Sequence, residues 1–110
     1  MNKVGILEKT EKFAQYIMAN IKDPVHDFSH VLRVRQWAKK LAHMEKVDSF
    51  KIEMVALLHD IGRGKEDYKR GLAHAEMSAV MAEPYLKKIK EISLSCRQEI
   101  LEAVKRHSKG

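Results

Sequence analysis

The sequence predicts an all-α fold, a single-domain bundle of about five helices. Glycine (5) and proline (2), the residues that punctuate turns, are scarce. The composition leans towards Ala, Leu, Glu, Lys and Met, which favour helix. Apolar residues also return at three- and four-residue intervals along most of the 110-residue chain. A chain of this length supports one modest core, so residues 1–110 read as one domain.

The first helix is expected from Ile6 to Ile21, with Ile6, Leu7, Phe13, Ala14, Ile17, Met18 and Ile21 on its buried face. Asp23-Pro24 stops it, because the residue before proline is driven out of the helical region. A short connection follows, in which Asp27 or Ser29 caps a second helix running from Ser29 to Met44. His30, Val34, Trp37 and Leu41 share one stripe of that helix and are expected to face inward, whereas His43, among Lys39, Lys40 and Lys46, is expected in solvent.

Asp48 or Ser49 caps the central helix. Ile52, Val55, Ala56 and His59 form one face and Met54, Leu57, Leu58 and Ile61 another, so this helix is apolar nearly all round and belongs in the middle of the core. Gly62 and Gly64 end it just past His59-Asp60. The charged stretch from Arg63 to Leu72 suits an exposed loop beside that pair.

A fourth helix begins near Ala73, with His74, Met77, Ser78, Met81, Ala82 and Tyr85 on its inward stripe and Pro84 expected to kink or split it. The last helix opens on the capping-box pattern Ser95-Cys96-Arg97-Gln98 and aligns Ile100, Ala103, Val104 and His107.

Lys and Arg (21) outnumber Asp and Glu (15), a net charge of +6 that favours anionic ligands. The single Cys96 cannot form an intramolecular disulfide and no signal segment opens the chain, so a cytoplasmic location is expected. No apolar run reaches the roughly 18 residues that a membrane span needs. Nucleic acid is disfavoured as a partner because the positive residues, including Lys87, Lys88 and Lys90, are spread over several helices without stacking aromatics.

Burying the Asp60 carboxylate beside imidazole is costly unless a cation compensates the charge. A lone histidine on an apolar face is more often a hydrogen-bonded core residue than a ligand. Here four histidines, His30, His59, His74 and His107, fall on the inward stripes of four helices together with Asp60. Imidazole and carboxylate suit divalent Mn, Fe, Co, Ni or Zn, and an incomplete ligand set leaves room for water or phosphate.

The segments His26-Asp27-Phe28-Ser29-His30-Val31-Leu32-Arg33-Val34, Ala56-Leu57-Leu58-His59-Asp60-Ile61-Gly62, His74-Ala75-Glu76-Met77-Ser78-Ala79 and Arg106-His107-Ser108 resemble the successive signatures of HD-domain metal-dependent phosphohydrolases. The resemblance covers about residues 24–108. It implies a helical bundle in which His30, His59 and Asp60 hold a first divalent metal, Mg included among the candidates, and His74 and His107 help hold a second. It also implies hydrolysis of a phosphoester, with Asp60 near the attacking water as the catalytic residue. Arg33, Arg63 and Lys65 are the candidate phosphate contacts; Arg63 stands where many relatives have lysine. His26 is either a neighbour of the substrate or a residue that stabilises the turn.

The family pattern closes with one further aspartate on a later helix, which this sequence lacks before Gly110. A longer domain, another subunit, water in the ligand's place, or loss of catalysis would each account for that. Two function classes follow. The first is a phosphohydrolase of a nucleotide or other small phosphorylated molecule, with a homo-oligomer as one possible state. The second is a metal-binding, catalytically inactive module that binds a nucleotide or a protein partner.

Overall fold

The computed structural model describes residues 2–19 and 27–107, and of His107 the backbone alone. Among the described residues the chain forms α1 (Lys3–Met18), α2 (Phe28–Met44), α3 (Phe50–Leu58), a 3₁₀ turn (Tyr68–Arg70), α4 (His74–Lys87) and α5 (Leu94–His107), with no β-strand. The all-α bundle expected from composition and periodicity is the fold observed. The expected stop at Asp23-Pro24 lies outside the described residues.

The bundle is arranged around α3, which packs against each of the other four helices. Met54, Leu57 and Leu58 are fully enclosed, and Ile61 continues the buried run beyond the helix end. The surrounding core comes from Ile6, Ala14 and Met18 of α1, Val31 of α2, Ala79, Ala82 and Leu86 of α4, and Ile100 and Val104 of α5. One expected core residue, Ile52, points outward and is 41% exposed, while Glu53 takes a buried place on the same helix.

Glu53 is tolerated there because it is paired. Arg35 Nε donates to Glu53 Oε1 at 2.9 Å and Arg35 Nη1 to Glu11 Oε1 at 2.7 Å, while Ser49 Oγ donates to Glu53 Oε2 at 2.5 Å. This network ties α1, α2 and α3 together, and it follows the rule that buried charge survives only with its hydrogen bonds satisfied.

It also corrects the expected register of α2. The buried face is Val31, Ala38 and Ala42, whereas Trp37 is 65% and Leu41 54% exposed. Small alanines allow close approach to α3, so the helix turns its bulky residues to the outside. Asp27 caps α2 as expected, accepting from the amides of Ser29 and His30.

At α3 one of the two expected caps is used, whereas the start of α5 and the course of α4 through Pro84 differ from the sequence reading. At α3, Asp48 Oδ1 accepts the Phe50 amide at 3.0 Å, and the Ser49 hydroxyl goes to Glu53 instead of capping. At α5 the cap is Ser93, whose Oγ accepts the Cys96 amide at 3.1 Å, two residues before the expected Ser95. Helix α4 runs through Pro84 as one element. The carbonyl left without a donor there belongs to Val80, which is half-exposed, so water can satisfy it.

Candidate metal centre

Helix α3 ends at Leu58, and His59 follows in helical conformation as its C-cap. His59 is 3% exposed and Asp60 is fully buried. His59 Nδ1 lies 2.6 Å from the Ala56 carbonyl oxygen, which can only accept, so Nδ1 carries the proton and donates it. In the neutral ring the other nitrogen, Nε2, presents its lone pair; it lies 3.3 Å from Asp60 Oδ2. From the first turn of α2, His30 brings its Nε2 to 3.8 Å from the same oxygen. The two imidazoles meet edge to face, with centroids 5.8 Å apart.

Asp60 divides its two oxygens. Oδ1 accepts from Arg63 Nη2 at 3.2 Å, whereas Oδ2 is buried without a hydrogen-bond donor. Burial pushes the Asp60 carboxyl upward, but His59, when its ring is protonated, and Arg63 outweigh it and hold the group well below the usual value of 3.8. An ionised oxygen facing an imidazole lone pair is unfavourable unless a proton or a cation lies between them.

One ligand atom from each of His30, His59 and Asp60 lies within 4.8 Å of the others. Separations of 3.3 and 3.8 Å fit atoms that share one ion at about 2.1 Å each. The donor set and the orphaned oxygen therefore fit a divalent cation, and the protonated Nδ1 of His59 is the outer hydrogen bond that orients a ligating imidazole.

The other expected site residues are placed as follows. His74 is the first residue of α4 and does not belong to the group within 4.8 Å. Its carbonyl accepts from Ser78 Oγ at 2.7 Å, and Ser78 Oγ in turn accepts the Gly62 amide at 2.8 Å, so the start of α4 is fastened to the turn after Asp60. His107 ends α5, and its side chain lies outside what is described, as does His26. Arg63 engages Asp60, while Arg33 and Lys65 are exposed. His43 is exposed, as expected.

The Ser78 link between Gly62 and His74 was not anticipated. Its signal in the sequence was the pairing of a glycine directly after the His-Asp-Ile segment with a serine on the inward stripe of the next helix. A groove of about 1140 Å³ runs along α5 from Ser95 to Arg106, and none of the three clustered residues lines it.

Fold and site together define a helical bundle with a buried imidazole–carboxylate group able to hold a divalent cation. Residues 27–110 match the model of the HD domain family, and the chain belongs to that family. It is similar to a predicted HD superfamily hydrolase from an uncultured Thermotogales bacterium, known from a crystal structure, with 31% sequence identity and a TM-score of 0.82. The match covers 99% of this chain, which spans 65% of the length of that protein. Among curated proteins no match was found. No helix among the described residues is long and apolar enough to cross a membrane.

Proposed function

We propose that the chain is a metal-dependent phosphohydrolase that cleaves a phosphoester of a nucleotide or another small phosphorylated molecule. The observation that carries this reading is Asp60 Oδ2, buried, without a hydrogen-bond donor, and facing His59 Nε2 at 3.3 Å. Family membership and the hydrolase named among its structural relatives support it.

On this reading His30, His59 and Asp60 hold the cation, and His74 and His107 contribute to a second. A divalent cation supplies Lewis acidity for a phosphoryl oxygen and for the attacking water. Asp60 helps orient that water, while Arg63 fixes the carboxylate through Oδ1. Arg33 and Lys65, exposed on the solvent side, hold the phosphate oxygens, and Arg63 adds its positive charge beside them.

Phosphate release from a panel of nucleotides and a generic phosphoester, with and without Mn, Co, Ni or Mg, tests the proposal. Turnover that requires metal and disappears in Asp60→Asn is the expected result. Bound metal with no turnover on any substrate would reject hydrolysis and leave the reading of a metal-binding, inactive module.

A further inference from the structure

A second cavity opens on the outer face of α2. It measures about 380 Å³ and is lined by Arg33, Gln36, Trp37 and Lys40. This volume falls within the range of small-ligand sites. The indole of Trp37 is 65% exposed, an unusual place for the largest apolar side chain in the protein, and Lys40 Nζ stands 5.6 Å from its centroid. Among the described residues no carboxylate lines the cavity, whereas Arg33 and Lys40 are both cations.

The cavity and the metal centre both draw on α2. His30, Arg33 and Trp37 stand at i, i+3 and i+7, so they lie along one stripe. Seven residues of helix separate His30 from Trp37 by about 10 Å along the axis, and helical side chains lean towards the N-terminus, which carries the indole back towards His30. That distance is within the reach of a nucleotide between its phosphate and its base.

Resting on the phosphohydrolase reading, we infer that the α2 cavity is a nucleobase subsite: a nucleoside phosphate enters the metal centre phosphate-first and stacks its base on Trp37. Each lining residue has a part in this. The indole supplies a π face that tolerates any base. Gln36 offers one amide donor pair and one acceptor to a base edge. Arg33, one helical turn from His30, and Lys40, beside the ring, supply positive charge to an anionic ligand. The inference narrows the substrate class to nucleotides and adds Trp37, Gln36 and Lys40 to the residues that contact substrate.

Trp37 is the only tryptophan in the sequence, so intrinsic fluorescence reports on this one position. The experiment titrates the full chain, with Mn present, with adenosine, guanosine, cytidine and uridine monophosphates, and in parallel with ribose 5-phosphate and inorganic phosphate. Saturable quenching by the nucleoside monophosphates, absent with ribose 5-phosphate, is the expected result. In kinetics, Trp37→Ala is expected to raise KM for a nucleotide on the order of tenfold, with Trp37→Phe recovering most of the loss and KM for a generic phosphoester unchanged.

Equal responses to nucleotide and ribose phosphate, or none to either, would overturn the inference even if phosphoesters are hydrolysed. Quenching by nucleotides in a chain that hydrolyses nothing would leave the subsite standing and reject only the hydrolase. An emission shift that follows protein concentration and ignores nucleotide would assign this face to contact between copies of the chain, and would also overturn it.

Discussion

The Gly62 amide donates to Ser78 Oγ at 2.8 Å, and a Cβ at Gly62 would stand 2.4 Å from the Ser78 backbone nitrogen. Two residues beyond Asp60, the chain thus runs against the backbone of α4, with His74 O and Met77 C both 2.8 Å from the same hypothetical atom. Only glycine permits that approach. The contact fixes the turn that carries Asp60, and so links the geometry of the metal centre to the seating of α4 on the bundle.

Gly62→Ala is therefore expected to destabilise the fold by about 3 kcal/mol, since the clash is with backbone that cannot rotate away. Ser78→Ala leaves the Gly62 amide buried without an acceptor and is expected to cost about 2 kcal/mol. Urea unfolding of the two variants measures both. Wild-type midpoints in both would contradict the close approach.

The Arg35 network gives a second test. Glu53→Ala leaves Arg35, whose side chain is 18% exposed, with Glu11 as its remaining carboxylate, and is expected to cost about 3 kcal/mol. Replacing both partners, as Arg35→Met with Glu53→Leu, should return most of the loss, because no charge is then left buried alone. A double variant no more stable than Glu53→Ala would show that the pair contributes more than charge compensation.

A pH dependence follows from Asp60. Its carboxyl is held below the usual 3.8 because His59, protonated in the acid range, and Arg63 outweigh the effect of burial. A group with a lower pKa in the folded state binds fewer protons there, so its stabilisation is complete above the unfolded value and is lost as pH falls through the folded one. Metal-stripped wild type should therefore lose stability below about pH 4 more steeply than Asp60→Asn. Urea midpoints across the acid range check this, and parallel curves would contradict it.

Histidines 74 and 107 bear on the number of ions. On the two-metal reading, His74→Ala and His107→Ala each lower the metal content of the protein without emptying the site of His30, His59 and Asp60. Elemental analysis of the folded variants measures it; unchanged content in both would return these residues to structural roles.

Much of this protein was legible in its sequence, and the exceptions have physical causes. The central helix was readable because a segment apolar on every side has no place but the core, and Leu57, Leu58 and Ile61 are indeed enclosed. His30, His59 and Asp60 could be singled out because imidazole and carboxylate on inward positions need compensation. The face of α2 was misjudged because periodicity weighs residues by hydrophobicity, and Trp37 and Leu41 outweighed Ala38 and Ala42, which the close packing on α3 selects for their small size.

The pairing of Arg35 with Glu53 and Glu11 was hidden for a related reason. Charged residues read as solvated until a partner from another helix is known, and here the partners lie 18 and 24 residues away. The α5 cap moved from Ser95 to Ser93 because both are serines near the same boundary, and only the backbone conformation decides between them.

The central claim is that His30, His59 and Asp60 form a metal centre, and the most direct measurement is the metal content of purified wild type against His59→Ala and Asp60→Ala. Elemental analysis is run on protein whose helical circular dichroism is intact. The account predicts at least one divalent ion per wild-type chain and loss of that ion in both variants. Folded variants that carry as much metal as wild type would contradict it.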